Sequence, residues 1–141
     1  MELEMKITLA NHRIFMANES YESALCNFKN KRYNRSVDDI YYACFNLTRA
    51  CLILIKEEDF SDHGKCIGEF NKFFVNELGD ISRVTGSALH TLARERNKKT
   101  YKETIPVSEE EANEILDLGK NVYDEIKLYY DLKLNQINNI N

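Results

Sequence analysis

Apolar residues recur at helical spacing along most of the chain. From about Thr8 to Lys29 the apolar positions are Ile14, Ala17, Tyr21, Ala24, Leu25 and Phe28, which predicts a first long helix. Asn30 to Asn34 interrupts that pattern. Ser36 is suited to cap a second helix, with Asp38 and Asp39 in its first turn, where the helix dipole favours negative charge. This helix runs to about Lys56. It carries Ile40, Tyr41, Cys44, Phe45, Leu47, Cys51, Leu52, Leu54 and Ile55, so it is apolar on most sides and belongs at the centre of a bundle. Ala43 and Ala50 add a small-residue stripe for close helix approach.

Glu57 to Gly64 is polar. A shorter helix follows from about Lys65 to Asn76, with Ile67, Phe70, Phe73 and Phe74 inward, and Leu78-Gly79-Asp80 restarts the chain. A fourth helix covers about Ile81 to Arg96, and Asn97 to Pro106 reads as a lysine-rich loop. Ser108 followed by Glu111 is a capping box that opens the last helix, which reaches about Leu134. The Asn-rich tail, residues 135–141, is expected to fray. No segment sustains two-residue alternation, so no sheet is expected. The prediction is an all-α, antiparallel up-and-down bundle of four long helices plus one short helix, forming a single domain over residues 1–134.

Composition narrows this picture. A chain of 141 residues suits one domain, and 43% hydrophobic with 30% charged residues is a globular balance. Five glycines and one proline are few for a sandwich or barrel. Nineteen Lys and Arg against 23 Asp and Glu exclude a wholly basic nucleic-acid coat but leave room for a local basic patch. Met1 to Leu9 has no secretory core. The most apolar stretch, Ile40 to Ile55, is too short for a span and contains Asn46, Thr48 and Arg49, so a cytoplasmic protein off the membrane is expected. Cys26, Cys44, Cys51 and Cys66 form no CxxC pair and read as reduced thiols. His63 and Cys66 make an H-x-x-C with no second pair, so neither metal nor cofactor is expected.

The most unusual stretch is Arg94-Glu95-Arg96-Asn97-Lys98-Lys99-Thr100-Tyr101-Lys102, with five cations against one acid. Two readings fit it. One is a solvated helix end whose cations complement the dipole. The other is a phosphate site, in which Arg96 grips oxygens bidentately, Lys98 and Lys99 add charge, and Tyr101 stacks on a base. Two readings also fit His63, flanked by Asp62 and Gly64: a loop histidine bonding nearby backbone, or a site residue. Asn46 is either a satisfied core amide or a cleft residue that orients Arg96. His12 and His90 suggest no role. Tyr41-Tyr42 and Tyr129-Tyr130 read as core and interface residues.

Arg96-Asn97-Lys98-Lys99-Thr100-Tyr101 resembles the signature of HEPN domains: Arg, a few variable residues, then His. Tyr101 stands in the His place, as in a prokaryotic branch of that family. Tyr41-Tyr42-Ala43-Cys44-Phe45, Ser61-Asp62-His63-Gly64, Phe70 to Val75 and Glu110-Glu111-Ala112 are similar to further landmarks of the branch, in the same order, over about Ala17 to Tyr130. The resemblance implies a helical homodimer of toxin–antitoxin or defence type. It further implies a cleft that binds RNA or nucleotide and is capable of metal-independent RNA cleavage, with Arg96 and Tyr101 as its catalytic residues and Asn97, Lys98, Lys99, His63 and Asn46 as binding residues. It leaves a second function open, a non-catalytic module that pairs with a nucleotidyltransferase. On a regular helix Arg96 and Tyr101 lie roughly 140° apart. They converge only across a helix end, a bulge or a second subunit.

Overall fold

A computed structural model describes residues 1–101 and 106–140, with side chains throughout except at residues 99–101. Helix α1 spans Leu3–Lys29. Helix α2 spans Tyr33–Cys51 and ends in a π-helical turn, Leu52–Lys56. Helix α3 spans His63–Phe70 and also runs on as a π segment, Asn71–Glu77. Helices α4 (Arg83–Tyr101) and α5 (Glu109–Ile140) complete the bundle. Among the described residues there is no strand, and no helix is long and apolar enough to cross a membrane.

Helix α2 is the axis. It packs against α1, α3, α4 and α5, and its residues from Ser36 to Leu54 are almost all buried. Helix α1 meets it through a seven-residue repeat: Ala10, Ala17 and Ala24 are fully buried, and Ile7, Ile14, Tyr21 and Phe28 flank the core. Alanine at every second seam position lets the two backbones approach closely. On the α5 side the same device is a single glycine. A Cβ on Gly119 would lie 2.3 Å from Ile40 Cγ1, and the Cys44 thiol donates to the Gly119 carbonyl at 3.4 Å. Helices α1 and α5 run antiparallel, tied by Tyr130 to Asn11 (2.6 Å) and Tyr123 to Asn18.

The boundaries depart from the sequence expectation at four places. Helix α1 begins at Leu3 rather than Thr8, because Ile7 joins the seam and Glu57 holds both Lys6 and the N-terminal amine. Helix α2 begins at Tyr33, so Ser36 is not its cap. Ser36 is fully buried one turn inside, and its hydroxyl donates to the Tyr33 carbonyl at 2.8 Å. The reversal between α1 and α2 is tighter than expected because Lys31 takes a left-handed conformation, φ 63°. Helix α4 continues past Arg96 to Tyr101, and α5 is helical through the Asn-rich stretch to Ile140, where Ile137 still packs on the core.

Two caps follow their local sequence. Ser108 Oγ accepts from the Glu111 amide at 3.1 Å, and Glu111 Oε1 accepts from the Ser108 hydroxyl at 3.1 Å, closing the capping box. Asp62 Oδ1 accepts from the Lys65 amide at 2.9 Å and so starts α3 at His63. Gly79, with φ 69°, supplies the left-handed turn between α3 and α4. The start of α4 is held from across the bundle. Glu125 accepts from the Ser82 amide (2.8 Å), the Ser82 hydroxyl (2.9 Å) and the buried Thr85 hydroxyl (2.6 Å).

Candidate functional site

Where α2, α3 and α4 meet, they leave a cleft of about 170 Å³ lined by Tyr41, His63, Gly64, Ile67, His90, Ala93, Arg96 and Asn97. Helix α4 supplies one wall through His90, Ala93 and Asn97, which share a face at spacings of three and four. Helix α3 supplies the opposite wall from its first turn, where the Asp62 cap fixes His63. The small side chains of Gly64 and Ala93 keep the space between them open.

Arg96 is held from below by the Tyr41-Tyr42 pair. Its Nη2 donates to the Tyr42 hydroxyl at 2.9 Å, and its guanidinium carbon lies 5.2 Å and 5.8 Å from the ring centres of Tyr42 and Tyr41. An aromatic bed of this kind orients a cation while leaving charge to act on a ligand. Asp38, in the first turns of α2, is the nearby carboxylate. Burial raises its pKa, and the Arg96 charge works against that rise.

His63 stacks on Phe45, with ring centres 4.0 Å apart, and sits edge-on to Tyr42. Its Nδ1 is 2.8 Å from the Tyr41 hydroxyl. Burial lowers the His63 pKa, and the positive charge of Arg96 lowers it further. The imidazole is therefore neutral near pH 7. Burial also pushes the Tyr41 phenol up to about 12, against the pull of Arg96, so it stays protonated and able to bond the ring nitrogen.

Of the residues singled out from sequence, the fold brings Arg96, Asn97 and His63 together. His63 bonds the Tyr41 side chain on α2 at 2.8 Å. Lys98 turns away and pairs with Glu95 at 3.4 Å. Asn46 is buried below the cleft. Its Nδ2 donates to the Tyr42 carbonyl at 3.0 Å, and it is absent from the cleft lining. The side chains of Lys99 and Tyr101 lie outside the described residues. The unbroken helix to Tyr101 removes the helix end that would have let positions 96 and 101 converge within one chain.

Sequence reasoning did not single out Tyr41 and His90, which line the cleft, or Tyr42, which bonds Arg96. The two tyrosines carried a signal, since Tyr-Tyr-Ala-x-Phe was among the ordered landmarks, although the tyrosines read as core. His90 carried none, because nothing local separates it from a surface histidine. Its Nε2 is 2.9 Å from Asn71 Nδ2. Among the described residues no group of three or more His, Cys, Asp or Glu side chains is placed to hold a metal ion. Cys66, beside His63 in sequence, turns instead to the Thr48 hydroxyl at 3.5 Å, and burial pushes its thiol up to about 11.

An all-α bundle with an arginine presented over paired tyrosines at such a cleft matches a known class. The chain belongs to the HEPN domain family, whose sequence model matches residues 10–129. It is similar to a UPF0332 protein of Thermotoga maritima, 31% identical over 118 residues that cover 83% of this chain and 88% of the relative. It is also similar to a protein named "Putative toxin MJ0605" of Methanocaldococcus jannaschii, 34% identical over 114 residues that cover 81% of this chain and 83% of that one.

Proposed function

We propose that this HEPN protein is a cytoplasmic toxin or defence protein that binds RNA, or a nucleotide, through phosphate at Arg96. The observation that carries this reading is the Arg96 guanidinium held on Tyr41 and Tyr42 at the rim of a cleft that also contains His63 and Asn97. The guanidinium is bonded to a phenol and lines the cleft. Kinship with a protein named as a toxin supports the class. Lys98 and Lys99 add positive potential at the end of α4, and Tyr101 donates a hydrogen bond or stacks on a base. Two copies would bring two such clefts together. Met5, Leu9 and Met16, exposed on the outer side of α1, offer apolar area for such a homodimer.

The test is fluorescence anisotropy with mixed single-stranded RNA, in low salt and EDTA, comparing wild type with Arg96→Ala. Losing a charged hydrogen-bond donor to phosphate costs about 1.5–3 kcal/mol, or roughly ten- to a hundredfold in affinity. Equal binding by the two proteins would refute the reading. A second reading, a non-catalytic module paired with a nucleotidyltransferase, is favoured by one observation: Tyr101 stands where the motif His is expected. A co-expressed nucleotidyltransferase that binds the chain, while RNA does not, would select it.

A further inference from the structure

We propose that the turn between α1 and α2, through Lys31, Arg32 and Arg35, is a second phosphate-binding site, which grips the backbone of a single-stranded RNA that also reaches Arg96. This rests on the RNA-binding reading above and extends it from one phosphate contact to a strand.

The stretch Lys29-Asn30-Lys31-Arg32-Tyr33-Asn34-Arg35 holds four cations and no acid, in a chain whose net charge is -4. All four cations are exposed, and none forms an ion pair with a carboxylate among the described residues. Lys31, Arg32 and Arg35 line a groove of about 360 Å³ together with Tyr33, Asn34 and Val107. Asn34 Oδ1 accepts from the Val107 amide at 2.9 Å and so fixes the far wall against the turn.

Three of these charges sit where local stability disfavours them. Lys31 takes a left-handed conformation, φ 63°, that suits glycine or asparagine. Arg32 is the N-cap of α2, and its side chain caps nothing. Arg35 stands in the first turn of α2, where the helix dipole opposes a cation and no acid offsets it. A solvated helix end accounts for Lys29, which complements the C-terminal end of α1. It does not account for the other three, which weaken the turn they occupy. Breaches of local preference without a compensating contact mark a surface shaped for a ligand.

The chemistry selects an extended polyanion. Charges spread along seven residues match phosphates repeated along a strand better than one compact anion. The Tyr33 ring, 5.5 Å from the Phe28 ring between centres, gives the groove an aromatic wall on which a base can stack. The stretch has no aliphatic side chain of the kind that a membrane surface takes up.

A second groove joins the turn to Arg96. It has a volume of about 520 Å³, and Arg35 and Tyr42 both line it, with Asp38 and Asp39 between them. The Tyr42 hydroxyl accepts from Arg96 at 2.9 Å. Arg35 and Tyr42 are two turns apart on α2, about 10 Å along its axis, too far for one phosphate group to touch both. Asp39 accepts from Ser23 at 2.8 Å and from Asn27 at 2.7 Å, so α1 holds it in place. A strand would cross the two carboxylates with ribose hydroxyls and base amines, donors that a carboxylate accepts.

The experiment measures binding of a fluorescein-labelled single-stranded RNA of about twelve nucleotides by anisotropy, in EDTA, from about 50 to 200 mM salt. The proteins are wild type, Lys31→Gly, Arg32→Gln/Arg35→Gln, Arg96→Ala and a Lys133→Gln control. Lys133 is about 36 Å along α5 from Glu109. Thermal melting is recorded for each. Each lost phosphate contact should lower the salt slope by about 0.7 and the affinity at 0.1 M salt by about fivefold. The double variant should therefore bind about 25-fold more weakly. Lys31→Gly should lose about fivefold while melting no lower than wild type, because glycine suits that φ. Lys133→Gln should stay within about twofold. If the double variant fails to fold, Lys31→Gly decides the matter. Turn variants that bind with wild-type affinity and slope, while Arg96→Ala binds more weakly, overturn the proposal and leave the Arg96 reading standing. Turn variants that weaken while Arg96→Ala does not would support the turn and refute the Arg96 reading. An equal loss in Lys133→Gln overturns the proposal in favour of diffuse charge. Turn variants that lose binding to phosphatidylserine vesicles but not to RNA overturn it in favour of a membrane surface. Wild type that binds no RNA overturns both readings.

Discussion

Gly119→Ala tests the reading that α5 is seated on α2 by the absence of a side chain. The added Cβ would come to 2.3 Å from Ile40 Cγ1 and 3.3 Å from its Cδ1. Carbon atoms pack without strain at about 3.5–4.0 Å, so the first contact is short by more than 1 Å. Ile40 has no exposed surface and is stiff at χ1, so it cannot swing clear. Overpacking of this severity costs about 3 kcal/mol, the upper part of the usual range. Replacing Gly by Ala inside a helix returns about 1 kcal/mol of backbone propensity. The net loss is about 2 kcal/mol, or roughly 4–8 °C in Tm for a domain near this size. Urea denaturation followed by circular dichroism would give the free energy at unchanged slope. The double variant with Ile40→Ala removes the clashing atoms, so Gly119→Ala should cost at least about 1 kcal/mol less in that background. If Gly119→Ala alone melts at or above wild type, propensity has won and the close-contact account is wrong.

Three further outcomes follow from the site and its supports. Arg96→Gln removes a charge that disfavours the His63 imidazolium, so the His63 pKa should rise, as read by NMR titration; an unmoved value would mean that the two groups do not share the cleft. His63 also links stability to pH. Its folded value lies below its unfolded value, so the unfolded chain takes up the proton first, and stability should fall as pH drops below about 6.5. That slope should flatten in His63→Gln, and an identical slope in both proteins would contradict it. Glu125→Ala leaves the Thr85 hydroxyl and the Ser82 amide just before α4 without their carboxylate and should cost about 1–2 kcal/mol in urea, whereas a loss under about 0.3 kcal/mol would show that water replaces the carboxylate. Ser108→Ala breaks the capping box of α5 and should cost about 1 kcal/mol, with Ser108→Gly costing less. The reverse order would rule out capping as the cause.

Several features were legible in the residues because they are local. The 3.6-residue period marked five helices, and the all-round apolar character of Ile40 to Ile55 marked α2 as central. Ser108 and Glu111 lie within one turn, so their capping pattern survives whatever the rest of the chain does. Arg96 stood out by its charged neighbourhood, and the ordered landmarks around it pointed to the HEPN family. The boundaries were less legible because packing moved them. Ser36 has the chemistry of a cap, but the tight turn at Lys31 started α2 earlier and drew Ser36 into the core. Helix α4 was expected to end near Arg96, where lysines replace apolar residues, yet hydrogen bonding carries it to Tyr101.

The cleft belongs wholly to the tertiary structure. Tyr41, His63, His90 and Arg96 come from three helices, and no periodicity relates the residues of one helix to those of another. Which of the three histidines faces Arg96 depends on how α3 and α4 pack against α2. That packing is set by contacts distributed over the whole core, including the buried faces of Phe45, Ile67 and Ala93. A sequence states the period and the caps of each helix directly, because those are interactions between near neighbours. The rotation of one helix against another is the sum of many small side-chain contacts, and that sum is taken only when the chain has folded.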